Sequence, residues 1–155
     1  TIIVDTREQR NEHIISYLDR KKVPYRTEKL DYGDYSAVIP ANKEYGIIRE
    51  LHFPIAIERK NSVDELANTI KERTRFENEL IRAQRGKFHL MVEDSDGYNN
   101  LIFGRYRSKY GEKALLGSLK SFEARYNFST AYIDRFTAGN YIYHHFYYSV
   151  REYLK

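Results

Sequence analysis

"IAIERKNSVDEL", Ile55 to Leu66, decides how this chain is read. Ile55, Ala56 and Ile57 form the apolar run of a buried strand, and Glu58, Arg59 and Lys60 follow without a break. Charged groups at the end of a core strand need partners or a task. Side chains two apart on a strand share a face, so Glu58 and Lys60 project together and Arg59 projects the other way. Ser62 stands three positions before Glu65, a capping-box signature, and Val63, Leu66, Ala67 and Ile70 then recur at helical spacing. The expected centre of the fold is a strand that ends in these charges and turns at once into a helix.

On the amino-terminal side, "TIIV" (1–4) reads as a short buried strand and "DTREQRN" as a polar turn. Ile14, Ile15 and Leu18 give a helical period between Arg10 and Lys22, which Pro24 ends. "YRTEKL" (25–30) alternates as a half-exposed strand, and "DYGD" leads into "YSAVIP" (35–40), expected to pair with it as a hairpin. "ANKEYGIIREL" (41–51) reads as a mobile connection or hairpin tip. Beyond the central stretch the pattern predicts a helix at 75–85, a strand at 87–93, a loop at "DSDGYNN" (94–100), an amphipathic helix at 111–126, a strand at 128–133 and a terminal helix at 138–155. No repeat or linker divides the chain. Strands first and alternating strands and helices later predict α/β architecture: three layers around a central mixed sheet flanked by helices, in one domain spanning 1–155.

Composition narrows the chemistry. The chain has 155 residues, 41% hydrophobic and 31% charged, which suits a folded domain with its own core. It has no cysteine, so disulfides and thiolate metal sites are excluded and an intracellular setting is favoured. No apolar run reaches membrane-spanning length, so no membrane association is expected. The net charge of +4 permits nucleic-acid binding without demanding it. The five histidines carry no ligand spacing, since adjacent helical residues such as His144 and His145 diverge. "DSDG" (94–97) lacks the later ligands of a calcium loop.

If the strand opened by Asp34 pairs beside the one ending at Lys60, two carboxylates and an ammonium converge. Two hard oxygen ligands suit a Mg²⁺ or Mn²⁺ that keeps several waters and takes a further ligand from a substrate phosphate. A lysine beside it can orient a water and offset charge developing on phosphorus. An acid, a variable gap, then acid-x-Lys is the pattern of restriction-endonuclease-like nucleases.

The flanking residues make a more specific pattern. "GDY" at Gly33–Tyr35 followed by "IERKNSVDEL" at Ile57–Leu66 resembles the nuclease domain of the XPF family of structure-specific endonucleases, whose mark is Gly-Asp, a gap, then Glu-Arg-Lys-x-x-x-Asp. Here the matching residues are Gly33, Asp34, Glu58, Arg59, Lys60 and Asp64. "VDTRE" (4–8) is similar to that family's opening Asp-x-Arg-Glu strand end, and "RTRFENELIR" (73–82) to its Arg-Phe/Tyr helix. The resemblance covers residues 1–93; the remainder fits by pattern alone. It implies a restriction-endonuclease-like core, cleavage of DNA near junctions, flaps or branch points, and 5′-phosphate and 3′-hydroxyl products. It also resembles a short stand-alone phage or bacterial version, which places the expected protein in the cytoplasm of a bacterium or a phage-infected cell. The alternative is a catalytically silent DNA-binding or scaffold subunit of a repair, recombination or replication complex, against which the intact Asp34, Glu58 and Lys60 argue.

The expected roles follow. Asp34, Glu58 and, from its place in the motif, Asp5 hold the metal, and Lys60 orients the attacking water. Glu8 stays open between an accessory metal or water contact and a solvated turn residue. Arg59 is expected to pair with Asp64 and lock strand against helix, with direct phosphate contact as the alternative. Arg73, Arg75 and Arg82 either form a solvated helical face with Glu72, Glu77 and Glu79 or reach the DNA backbone, Arg75 being the best match to the family. Members of the family commonly add a helix-hairpin-helix module and act as dimers. No such module is visible after residue 100, so a homodimer, or a recombination or replication partner docked on the helices at 111–126 or 138–155, is expected to help select the substrate.

Overall fold

The structure, a computed structural model, describes residues 1–155. Its strands are β1 (Ile2–Asp5), β2 (Tyr25–Glu28), β3 (Tyr35–Ile39), β4 (Leu51–Lys60), β5 (Lys87–Val92) and β6 (Ser129–Tyr132). Its helices are α1 (Glu12–Arg20), α2 (Val63–Lys71), α3 (Arg73–Ala83), α4 (Gly97–Ile102), α5 (Glu112–Tyr126) and α6 (Ala138–Tyr153). All six strands join one sheet in the order β2-β1-β3-β4-β5-β6. β3 runs antiparallel to both β1 and β4, whereas β1–β2, β4–β5 and β5–β6 are parallel.

Alternation along the strands builds two cores. Ile55, Ile57 and Met91 face α1 and α6, joined by Ile2, Val4 and Tyr35. Phe88, Leu90 and Val92 face the opposite side, where α2, α3 and α5 supply Leu66, Leu80 and Leu119. Helices therefore cover both faces of a mixed sheet, the expected three-layer arrangement. α2 starts as its residues predict: the Ser62 hydroxyl accepts from Glu65 N at 3.1 Å. The reciprocal half of the box is absent, because the Glu65 carboxylate accepts from Asn61 Nδ2 at 3.0 Å instead.

Two expectations need correction. The strands at 25–28 and 35–39 do not form a hairpin. β2 lies on the outer edge of β1, and β3 crosses to the other side and inserts between β1 and β4. Burial explains the choice: four of the five β3 residues are buried, which suits a strand with neighbours on both sides, whereas no β2 residue is fully buried. The true hairpin is β3–β4, with the polar stretch 41–50 as its tip. The second correction is α4, where a loop was expected. Asp94 organises its start by accepting from Asp96 N at 3.0 Å and Asn100 Nδ2 at 2.8 Å, and Leu101 anchors it in the core.

Candidate active site

The antiparallel placement of β3 assembles the candidate site. Because β3 runs against both neighbours, its start lies beside the ends of β1 and β4, the places that carry Asp5 and Glu58. Asp5 N donates to Asp34 O at 2.8 Å, and Asp34 N donates to Ile57 O at 2.8 Å. Gly33 makes the approach possible. Its φ is +77°, and a Cβ there would meet the Ala56 Cβ at 2.7 Å, so any side chain would push the Asp34 loop away from β4. Arg59 N then donates to Asp34 Oδ2 at 2.8 Å and fixes the carboxylate against the end of β4.

Glu58 and Lys60 share the face turned toward α3, as their spacing predicts. Lys60 Nζ lies 3.2 Å from Glu58 Oε2. They border a cleft of about 340 Å³ with Asp5, Arg7, Asp34, Arg75, Glu79 and Arg82, and Phe76 is its one apolar wall. Burial, then the neighbouring charge of Asp34, pushes the Glu58 carboxyl up to about 8. Burial and the charge of Glu8 push Asp34 up to about 7. Burial and the charge of Glu58 do the same for Glu79, again to about 7. Burial alone would lower Lys60, but the carboxylates of Glu58, Asp34 and Glu65 outweigh it and hold the ammonium above its ordinary value. Of the crowded carboxylates, only Glu58 has the ammonium in ion-pair contact.

That charge excess, on hard oxygen donors only, fits a divalent cation such as Mg²⁺ or Mn²⁺. The groups face one cleft, although no three acidic or imidazole side chains converge at metal-ligating distance. Asp5 fits the role least well. Its Oδ2 accepts from Arg7 Nε at 2.9 Å and Arg7 N at 3.2 Å, and its Oδ1 from Leu30 N at 2.8 Å and Arg7 Nη2 at 3.3 Å. These bonds outweigh burial and hold the Asp5 carboxyl below the usual range. Asp5 lines the cleft as a carboxylate whose partners are already present.

Arg59 faces away, as expected, but its partner is not Asp64. It lies on the α1 side with Nε 2.7 Å from Glu8 Oε2 and Nη1 3.1 Å from Glu93 Oε2. His13 Nε2 closes the group 2.7 Å from Glu93 Oε1. Asp64 instead accepts from Arg107 N at 2.8 Å and Ser108 N at 2.9 Å, because the first turn of α2 points its carboxylate at the loop after α4. The buttress therefore joins the end of β4 to the turn after β1, to the residue just past β5 and, through His13, to α1, and Asp64 joins helix to loop. Glu8 is no solvated turn residue: its carboxylate is buried against Arg59 and lines a second polar pocket with Asp34 and Lys60.

Of the three arginines expected near DNA, Arg75 and Arg82 line the cleft. Arg75 is almost fully exposed beside Glu72, and Arg82 Nε donates to Asp31 O at 2.9 Å. Arg73 turns away to α5, where it donates to Ser118 Oγ at 3.2 Å and stacks 5.1 Å from the Phe122 ring centroid. Glu79, read from sequence as a solvated partner of that basic face, points into the cleft and accepts from Gly33 N at 3.2 Å. Its spacing carried the signal: Arg75, Glu79 and Arg82 stand four and three apart on one helix face.

The model of the ERCC4 domain, the XPF-type nuclease domain, matches residues 4–142. The chain belongs to the ERCC4 domain family. Its fold agrees with XPF from Aeropyrum pernix at a TM-score of 0.68 and 21% identity, over 97% of this chain and 65% of that one. The same ERCC4 fold is similar to XPF from Aeropyrum pernix in complex with DNA, at a TM-score of 0.66 and 20% identity, over 97% of this chain and 65% of that one. No curated protein matches the sequence. The chain thus spans about two thirds of the length of the archaeal XPF chains it resembles, and none of its helices is long and apolar enough to cross a membrane.

Proposed function

We propose that the chain is a divalent-metal-dependent DNA endonuclease that hydrolyses phosphodiester bonds at branched, flap or junction DNA inside the cell. The observation that carries this reading is the meeting of Asp34, Glu58 and Lys60 in one polar cleft at the ends of β1 and β4. A bound Mg²⁺ or Mn²⁺ supplies Lewis-acid polarisation of the phosphoryl oxygens and a more acidic water. Asp34 and Glu58 would hold it, in place of the protons that crowding retains on their buried carboxyls.

Lys60 works as a charge rather than as a base. Its ammonium is held protonated by Glu58 and Asp34, so it donates to the attacking water or to an oxygen of the scissile phosphate as negative charge grows there. Arg59 N keeps Asp34 in place, and the Arg59–Glu8–Glu93 group behind the sheet fixes the strand end. Arg75 and Arg82 on the cleft wall meet the flanking backbone phosphates. Family membership and the likeness to an archaeal XPF held with DNA support the substrate class. The test incubates the purified chain with labelled branched, single-stranded and duplex DNA, with Mg²⁺ and with chelator. Cutting that needs the metal and disappears in folded Asp34→Asn and Glu58→Gln is expected; cutting in excess chelator, or by either mutant at the wild-type rate, refutes the assignment.

A further inference from the structure

Among the cleft acids to which the motif gives no role, Asp31 and Glu72 are exposed and Glu79 is half-buried. Asp5, to which the motif assigns the third ligand position, is ringed by four N–H contacts from Arg7 and Leu30 and balanced by the Arg7 guanidinium. Glu79 differs on every count. It accepts one bond, at 3.2 Å from Gly33 N, and no guanidinium or ammonium lies within ion-pair distance. The arginines on its own helix face are engaged elsewhere, Arg75 with Glu72 and Arg82 with the carbonyl of Asp31. Its carboxylate lines the same cleft as those of Glu58 and Asp34.

From this contrast we infer that Glu79 is the third carboxylate of the cation site, drawn in by the ion because the three acids do not converge at ligand distance without it, and taking the place that the sequence pattern assigns to Asp5. The inference rests on the metal-site reading above and deepens it. A helix-borne ligand also explains the architecture: α3 brings Glu79 against Gly33, the residue before Asp34, so cation binding ties helix, loop and strand together. The competing role is purely positional, with the carboxylate serving only as an acceptor for Gly33 N.

Two substitutions separate these roles. Glu79→Gln keeps an oxygen acceptor for Gly33 N and removes the charge; Glu79→Ala removes both. Mn²⁺ binding to the full chain, stripped with chelator and free of DNA, is measured by calorimetry or by the loss of the free-ion resonance signal. Glu58→Gln is measured alongside. Affinity is expected to fall about tenfold or more in both Glu79 variants, comparable to Glu58→Gln. Wild-type affinity in Glu79→Gln with a loss in Glu79→Ala makes Glu79 a positioning residue and overturns the inference. If Glu58→Gln loses Mn²⁺ and neither Glu79 variant does, this inference falls and the metal site stands. If the wild-type chain binds no Mn²⁺ at millimolar concentration, the metal-site reading falls and this inference falls with it.

Discussion

Without metal, the protein is expected to lose stability as pH rises past neutral, and Glu58→Gln should remove most of that loss. Glu58 has an ordinary carboxyl value of 4.5 and is pushed up to about 8 in the fold. Between those values the folded chain holds a proton that the unfolded chain has released. Stability from this group is therefore complete below 4.5 and is lost as pH climbs through about 8. Asp34 and Glu79, raised to about 7, act in the same direction. His89 and His145, both lowered from 6.5 by burial, act in the opposite direction mainly below that value, and the Thr1 amine, lowered from 8.0 by burial, offsets part of the loss above it. Between about pH 6.5 and about pH 8.5, linkage for Glu58 alone amounts to about 2 kcal/mol. Urea unfolding in chelator at several pH values across that window measures it. The wild type should fall by about 2 kcal/mol or more, and Glu58→Gln should retain less than about half of that slope. Saturating Mn²⁺ should flatten the wild-type curve by replacing the protons, with about 2.7 kcal/mol gained at one hundred times the dissociation constant. A wild-type profile that is flat or rises over this window, or an unchanged slope in Glu58→Gln, would refute the account of a crowded, proton-holding site.

Three further outcomes are expected. Lys60→Ala should lower the single-turnover cleavage rate about 100-fold, roughly 3 kcal/mol, while DNA affinity changes little; equal losses in rate and binding would make Lys60 a phosphate clamp. Arg59→Leu should destabilise the fold by about 3–5 kcal/mol in urea titration, because it leaves Glu8 and Glu93 buried without their cation. A loss below about 1 kcal/mol would show that water reaches these carboxylates. A second copy of the chain docked on the outer face of α6, where Tyr147, Tyr148 and Tyr153 are exposed, should give about twice the 18.5 kDa monomer mass in light scattering at micromolar concentration. A strict monomer there removes the homodimer from the substrate-selection argument.

The legible parts of this molecule were those in which local pattern and burial agree. The run from Ile55 to Ile57 alternates with charges that must emerge at a strand end, so both the strand and the shared face of Glu58 and Lys60 follow from period two alone. Ser62 and the helical spacing after it fix the start of α2 in the same local way. Strand order did not follow from local pattern, because the expected strands 25–30 and 35–40 look like hairpin neighbours when only the four-residue "DYGD" between them is considered. What decides their places is a comparison across the whole chain: the more buried segment takes the position between two neighbours, and the half-exposed one takes the edge.

The partners of Arg59 show the same limit in side-chain form. Asp64 is near in sequence, yet a strand residue that faces α1 cannot meet the first turn of a helix covering the opposite face. Glu8 and Glu93, 51 and 34 positions away, were both on the correct side once the sheet order was known. Glu79 was within reach of a stricter reading. If Arg75 and Arg82 face a DNA cleft, then the residue four after one and three before the other faces it too, and an acid there is opposed to phosphate binding unless a cation stands between them. An acid on a DNA-facing helix surface is thus itself an argument for metal, independent of the Asp34–Glu58 pair. That independence is why Mn²⁺ affinity in Glu79→Gln tests more than one residue: a fall shows that the helix wall and the strand ends belong to one centre.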